Sequence, residues 1–118
     1  FEVKGDRVVG DLYRPGREGP HAAVVVAGPM TSVKEQVTGV YASAFARRGL
    51  AALAIDHRGY GESGGVPRQY EDWRRKVEDL RNALRHLATI ADIDGARLGA
   101  AAVCLGCGYA AHASAGNA

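Results

Sequence analysis

Residues Leu98 to Ala113 read Leu-Gly-Ala-Ala-Ala-Val-Cys-Leu-Gly-Cys-Gly-Tyr-Ala-Ala-His-Ala. Small apolar residues lead into a Cys-Leu-Gly step, and a helix-forming run follows. Ala102, Gly106 and Gly108 are the small neighbours that let a strand and a helix approach closely across a turn. We read a strand over Arg97–Val103, a tight turn at Cys104, and a helix from Leu105 onward. Such a corner lifts one side chain clear of the backbone. It also sets that side chain at a helix N-terminus, where a thiolate is favoured. Cys104 is therefore the first candidate for a reactive group.

Working outward from the corner, His21-Ala-Ala-Val-Val-Val-Ala27 is a continuous apolar run closed by Gly28-Pro29. Its length and lack of alternation suit a strand buried on both faces of a parallel sheet. Ser32 and Glu35 have capping-box spacing, which predicts a helix running to Arg48 and stopped by Gly49. Val37, Tyr41, Ala44 and Phe45 would share its inner face. Leu50–Ile55 is a second short strand, closed by Asp56 and followed by a glycine-rich loop to Gly65.

Glu71–Ile90 carries the strongest helical period, with Trp73, Val77, Leu80, Leu84 and Leu87 on one face. Glu71/Arg75 and Asp72/Lys76 are placed as supporting pairs on its outer face. At the start of the chain, Phe1–Lys4 and Arg7–Tyr13 flank Gly5-Asp6 and predict an opening β-hairpin. Asp94-Gly95 turns the chain into the last strand. This order of strands and helices predicts the α/β class: a mostly parallel sheet, an opening hairpin, and helices on both faces. Ligands of such sheets bind at the carboxyl ends of the strands. Those ends are Gly28–Thr31, Asp56–Gly61 and Cys104–Gly106.

Composition narrows the function. The 118 residues fit one domain, 1–118, with no linker or repeat. A net charge of +2 is too small to suggest a nucleic-acid partner, and few aromatics lie near the basic residues. No apolar run approaches the roughly 20 residues of a membrane span. Two cysteines, both in the corner, do not make a disulfide framework, and we expect a reducing, cytoplasmic setting. No phosphate-loop pattern and no four-ligand metal spacing is present, so no cofactor and no metal is expected.

Within the corner, Ala102-Val-Cys104-Leu-Gly106 has the spacing of a nucleophile elbow, with Cys in place of Ser and Ala in place of the first Gly. The Leu105 backbone N–H would face a developing oxyanion. A second donor must come from the loop after the earlier strand. Pro29 has no N–H, so Met30 is the candidate. Packing alone also places small residues at βα turns, and buried cysteines are mostly inert. Cys104-Leu-Gly-Cys107 is also a C-x-x-C, which admits a thiol redox pair. His57, between Asp56 and Arg58, is read as a residue that braces its turn. His21, His86 and His112 have no better claim, and Glu62-Ser63 is read as turn chemistry.

Taken together, Val26–Gln36, Asp56–Gly65, Pro67–Glu71 and the elbow resemble the α/β-hydrolase superfamily. The Gly28-Pro-Met-Thr-Ser-Val-Lys-Glu-Gln36 run most resembles its dienelactone hydrolase-like bacterial branch. The resemblance spans about Val8 to the end. It implies the N-terminal half of an α/β-hydrolase fold. It also implies a hydrolase of an ester, thioester, lactone or related acyl compound. Cys104 would be the nucleophile, with the Leu105 and Met30 N–H groups as oxyanion donors; some relatives are acyl transferases. The acid and histidine of the triad follow later strands in this superfamily, and no residue of this chain takes either role. The expected partners are a small acyl substrate and either a second half of the fold or a second copy. The contrasting class is a binding module that keeps the fold without its chemistry.

Overall fold

The central strand, β4, is His21–Ala27, and its residues face two different cores. Side chains alternate along a strand. Ala23, Val25 and Ala27 enter one apolar cluster, and Val24 and Val26 enter the other. That two-sided burial is why the run lacks polar alternation. The structure is a computed structural model and describes residues 1–115.

A two-residue strand β1 (Glu2–Val3) pairs with β2 (Asp6–Arg7) around Lys4 and Gly5, both at positive φ. The expected hairpin is therefore shorter, and its turn lies one residue earlier. The chain bends at Val8–Val9, so Gly10–Tyr13 forms a separate strand, β3, that joins the main sheet. Then come β4, helix α1 (Val37–Arg47), strand β5 (Ala51–Ile55), helix α2 (Trp73–Leu87), strand β6 (Ile93–Ala102) and helix α3 (Gly106–Ser114). The sheet order is β3-β5-β4-β6. β3 runs antiparallel to β5, and β4 runs parallel to both β5 and β6. This is the N-terminal portion of an α/β-hydrolase fold.

Helix α1 covers one sheet face at Val26, Ala52 and Ala54, and α2 and α3 cover the other. Two expectations for α1 fail. The Ser32–Glu35 capping box does not form, because the Ser32 hydroxyl donates to the Pro29 carbonyl at 2.8 Å and Glu35 pairs with Lys34. The buried face is Thr38, Gly39 and Ala42, with Phe45 packed against the same cluster as expected, while Tyr41 is exposed. Small residues win that face because the loop leading into the helix folds back on it and the Tyr13 hydroxyl of β3 stands close, 3.3 Å from where a Cβ on Gly39 would lie. A Cβ on Gly39 would stand 2.5 Å from the Lys34 carbonyl oxygen.

Helix α2 buries Val77, Leu80, Ala83 and Leu87, of which Val77, Leu80 and Leu87 each contribute about 1.5–3 kcal/mol. Trp73 faces outward instead, at the first turn. Asp72 is the N-cap, accepting from the Arg74 and Arg75 N–H groups at 3.0 and 3.4 Å. It is thus not half of an outer-face pair with Lys76. Strand β6 starts at Ile93, earlier than expected, and shifts register between its pairings with His21 and Ala23. Asp94 accepts from the Ala96 N–H at 2.9 Å and shapes that irregularity. No helix among the described residues is long and apolar enough to cross a membrane.

Candidate active site

Cys104 has φ +59, a left-handed conformation uncommon for a residue with a side chain. The sequence dictates this locally. β6 must stop and α3 must start within three residues. Val103 N–H still donates to the Ala27 carbonyl at 3.0 Å, so the strand is held to β4 up to the turn. Cys107 N–H then donates to the Cys104 carbonyl at 3.0 Å, and Gly108 N–H to Leu105 at 3.1 Å, which winds the first turn of α3. The helix leaves so steeply that a Cβ on Gly106 would lie 2.6 Å from the Gly28 carbonyl oxygen and 2.7 Å from the Ala27 carbonyl carbon. Gly106 is thus required, whereas a Cβ on Gly108 would meet open space, contrary to the expected need for a small residue there. The corner presents Cys104 and Cys107 as exposed free thiols.

Gly106 packs on Ala27–Gly28, and Met30 follows two residues later, so the corner and the Gly28–Thr31 loop meet at one sheet end. Neither the Leu105 N–H nor the Met30 N–H has a hydrogen-bond partner among the described residues. Met30 is 55% exposed. Thr31 has φ +58, a strained value for a β-branched residue. Its N–H donates to Glu71 Oε1 at 2.9 Å. The arrangement offers a thiol, a helix N-terminus and two unengaged backbone donors on adjoining segments.

The Asp56–Gly65 loop is braced from within. Asp56 is fully buried, and it accepts from the Lys34 N–H at 2.8 Å, the Lys34 ammonium at 2.9 Å and the Glu62 N–H at 2.9 Å. Burial alone would raise its pKa, but these bonds outweigh burial and hold the carboxyl below its usual range. Lys34 is equally buried. Burial pulls its pKa down, but hydrogen bonds to Asp56, Glu35 and Glu62 more than reverse this and keep it above the ordinary lysine value. Glu35, Asp56 and Glu62 form a carboxylate cluster. The cation those three groups share is the Lys34 ammonium.

His57 Nδ1 lies 3.2 Å from Asp79, which also accepts from the Arg58 N–H at 3.0 Å and Arg58 Nε at 2.5 Å. This is the bracing arrangement read for His57. The Ser63 hydroxyl donates to the Asp56 carbonyl at 2.6 Å and accepts from the Val9 N–H at 2.9 Å, as turn chemistry predicts. His86 stacks on Phe1 with ring centroids 5.0 Å apart, and His112 meets Trp73 edge-on at 5.4 Å.

A second buried network, centred on Glu71, has no motif in the sequence. Glu71 and Lys76 were expected on the outer face of a helix. Instead Glu71 Oε1 receives the Lys76 ammonium at 3.0 Å as well as the Thr31 N–H, and Oε2 receives the Tyr109 hydroxyl at 2.8 Å. Lys76 lies 4.4 Å from the Tyr60 ring centroid and 5.9 Å from that of Tyr109. Burial acts to raise the Glu71 pKa, yet bonds from Lys76, Tyr109 and Thr31 keep it below the usual glutamate value. The one available signal was Lys76 itself, which falls next to Val77 and Leu80 on the apolar stripe.

Residues 18–114 match the family described as serine aminopeptidase, S33. The chain belongs to that family. Among relatives of this S33 chain, "Uncharacterized protein YcjY" of Escherichia coli (strain K12) is 39% identical over 94 residues, covering 80% of this chain and 31% of that protein. Thiohydrolase aneE of Aspergillus aculeatus is 37% identical over 97 residues, covering 82% and 30%. The crystal structure of hypothetical protein PA2218 from Pseudomonas aeruginosa superposes with a TM-score of 0.88 at 35% identity, over 96% of this chain and 36% of that one. The S33 chain thus spans less than a third of the length of these two curated relatives.

Proposed function

We propose that the S33 chain carries the nucleophile half of an acyl hydrolase, with Cys104 as the attacking group. The observation that carries this reading is the left-handed, exposed Cys104 at a strand–helix corner wedged against Ala27–Gly28. The family is named for serine enzymes, and here a cysteine stands at the elbow. That fits the dienelactone hydrolase-like branch, whose Gly28–Gln36 run the sequence resembles. The likeness to a thiohydrolase supports a hydrolase of esters, thioesters or lactones.

The Cys104 thiolate attacks the acyl carbonyl carbon, and a carbon–sulfur bond forms. The oxyanion is received by the Leu105 and Met30 N–H groups, aided by the positive end of α3. The leaving group departs as the carbon–heteroatom bond breaks, and it takes up a proton. Water then attacks the thioester carbonyl, the carbon–sulfur bond breaks, and the thiol is regenerated with release of the acid. The proton-transferring histidine and its acid partner are assigned to the remainder of the whole protein, in a second half of the fold or a second copy. A cytoplasmic setting, where the thiol stays reduced, belongs to the same reading.

The test is steady-state hydrolysis of p-nitrophenyl esters and acyl thioesters by the full-length protein. Cys104→Ala is expected to abolish turnover, and Cys104→Ser to retain a small fraction. Turnover undiminished in Cys104→Ala would refute the assignment. A reversible Cys104–Cys107 disulfide with no hydrolysis would favour the redox reading instead.

A further inference from the structure

We propose that Glu71 is a positioning residue that clamps the Met30–Thr31 turn to the helix following Cys104. It thereby sets the spacing between the two oxyanion donors. The proposal rests on the hydrolase reading for its catalytic consequence, but the clamp is a matter of geometry.

Each carboxylate oxygen of Glu71 holds a different wall of the site. Oε1 accepts the Thr31 N–H at 2.9 Å, directly after Met30. Oε2 accepts the Tyr109 hydroxyl at 2.8 Å, on the first turns of α3 and five residues beyond Cys104. The side chain is anchored independently of both, because Asp72 caps α2 next door and the buried Lys76 ammonium pairs with Oε1 at 3.0 Å. A carboxylate is the group this position needs. It accepts from three or four donors at once, and the Tyr60 hydroxyl approaches Oε1 as well, at 3.4 Å.

Thr31 gives the second reason. Its φ of +58 is unfavourable for a β-branched residue, and such a conformation persists only when its surroundings hold it. The bond to Glu71 is the contact that engages the Thr31 N–H. The Thr31 hydroxyl turns back to the Met30 carbonyl at 2.7 Å, which ties the orientation of the Met30 peptide to the same turn. Both bonds hold the Met30–Thr31 peptide, which adjoins the Pro29–Met30 peptide that carries the Met30 N–H, so releasing Thr31 from Glu71 loosens the turn in which that donor is set. The effect would reach the chemistry without Glu71 touching substrate.

The test uses the full-length protein with Glu71→Gln, Glu71→Ala, Tyr109→Phe and, as a control on the longest contact, Tyr60→Phe. Two readouts are taken: acylation by p-nitrophenyl acetate, and amide exchange at Thr31. Loss of one oxyanion donor costs about 10²–10³ in rate, so a misplaced donor in Glu71→Ala is expected to cost about 10–100-fold in kcat. KM should change less than about threefold, since the oxyanion forms only in the transition state. Glu71→Gln keeps the Thr31 acceptor but offers an NH2 to Tyr109, and it should fall between Glu71→Ala and the wild type. Tyr60→Phe should leave both readouts near wild type. Thr31 exchange should accelerate in Glu71→Ala while core amides of β4 keep their protection. A folded Glu71→Ala protein with wild-type kcat, or with unchanged Thr31 exchange, overturns the proposal. If turnover survives Cys104→Ala, the hydrolase assignment fails on its own, and Thr31 exchange alone then decides whether the clamp exists.

Discussion

Asp56 and Lys34 show how much of the site's stability rests on single buried charges. Both side chains are almost completely enclosed, so each relies on the other. Removing one partner of a buried pair costs about 3–5 kcal/mol. Asp56→Asn should fall near the low end, because Glu35 and Glu62 still face the ammonium. Urea unfolding of the full-length protein checks this. The pH dependence follows from the directions of the shifts. The folded Asp56 carboxyl titrates below its ordinary value of 3.8, so its contribution is complete above that value and is lost as pH falls through the folded pKa. The Lys34 pKa is raised above 10.5, so its contribution persists at all lower pH and is lost only in strong alkali. The wild-type Tm should therefore drop below about pH 4, and Asp56→Asn should show a shallower acid limb in a pH series of thermal melts.

At the scale of elements, the corner makes a paired prediction. Gly106→Ala places a methyl 2.6 Å from the Gly28 carbonyl and must push α3 off β4. Overpacking of this kind costs about 1–3 kcal/mol, and it should abolish turnover by tilting the turn that holds Cys104. Gly108→Ala meets nothing within 4 Å and removes a helix glycine, so it should be neutral or stabilising by up to about 1 kcal/mol. Denaturation midpoints of the two variants distinguish a wedged corner from a merely glycine-rich one. The strands were legible because an apolar run between breakers admits few other readings; His21–Ala27 is found with the bounds read from sequence. Helix entries were not. Ser32 had the right spacing to cap α1, but the Pro29 carbonyl competes for its hydroxyl. Trp73 fits the apolar period of α2 and still faces solvent, because the Asp72 cap makes it the first residue of the helix, where it meets only the edge of His112 among the described aromatic rings.

Over the whole molecule, the parallel pairing of β4 with β5 and β6 is legible as alternating strands and helices. The candidate site is different. Cys104 and Leu105 are local and were readable from five residues of spacing. The Glu71 clamp joins Thr31, Lys76 and Tyr109 across 40, 5 and 38 positions. The His57–Asp79 brace spans 22. No periodicity encodes such pairs; they appear only when the sheet has brought its loops to one end. What Cys104 does in the full-length protein therefore decides whether these loops form a hydrolase site. The direct measurement is mass spectrometry of that protein, quenched during turnover of p-nitrophenyl acetate and digested. A nucleophilic Cys104 requires an acetyl group on the peptide carrying it, removed by neutral hydroxylamine and absent in Cys104→Ala. An adduct on another residue, or one that persists in Cys104→Ala, would contradict it.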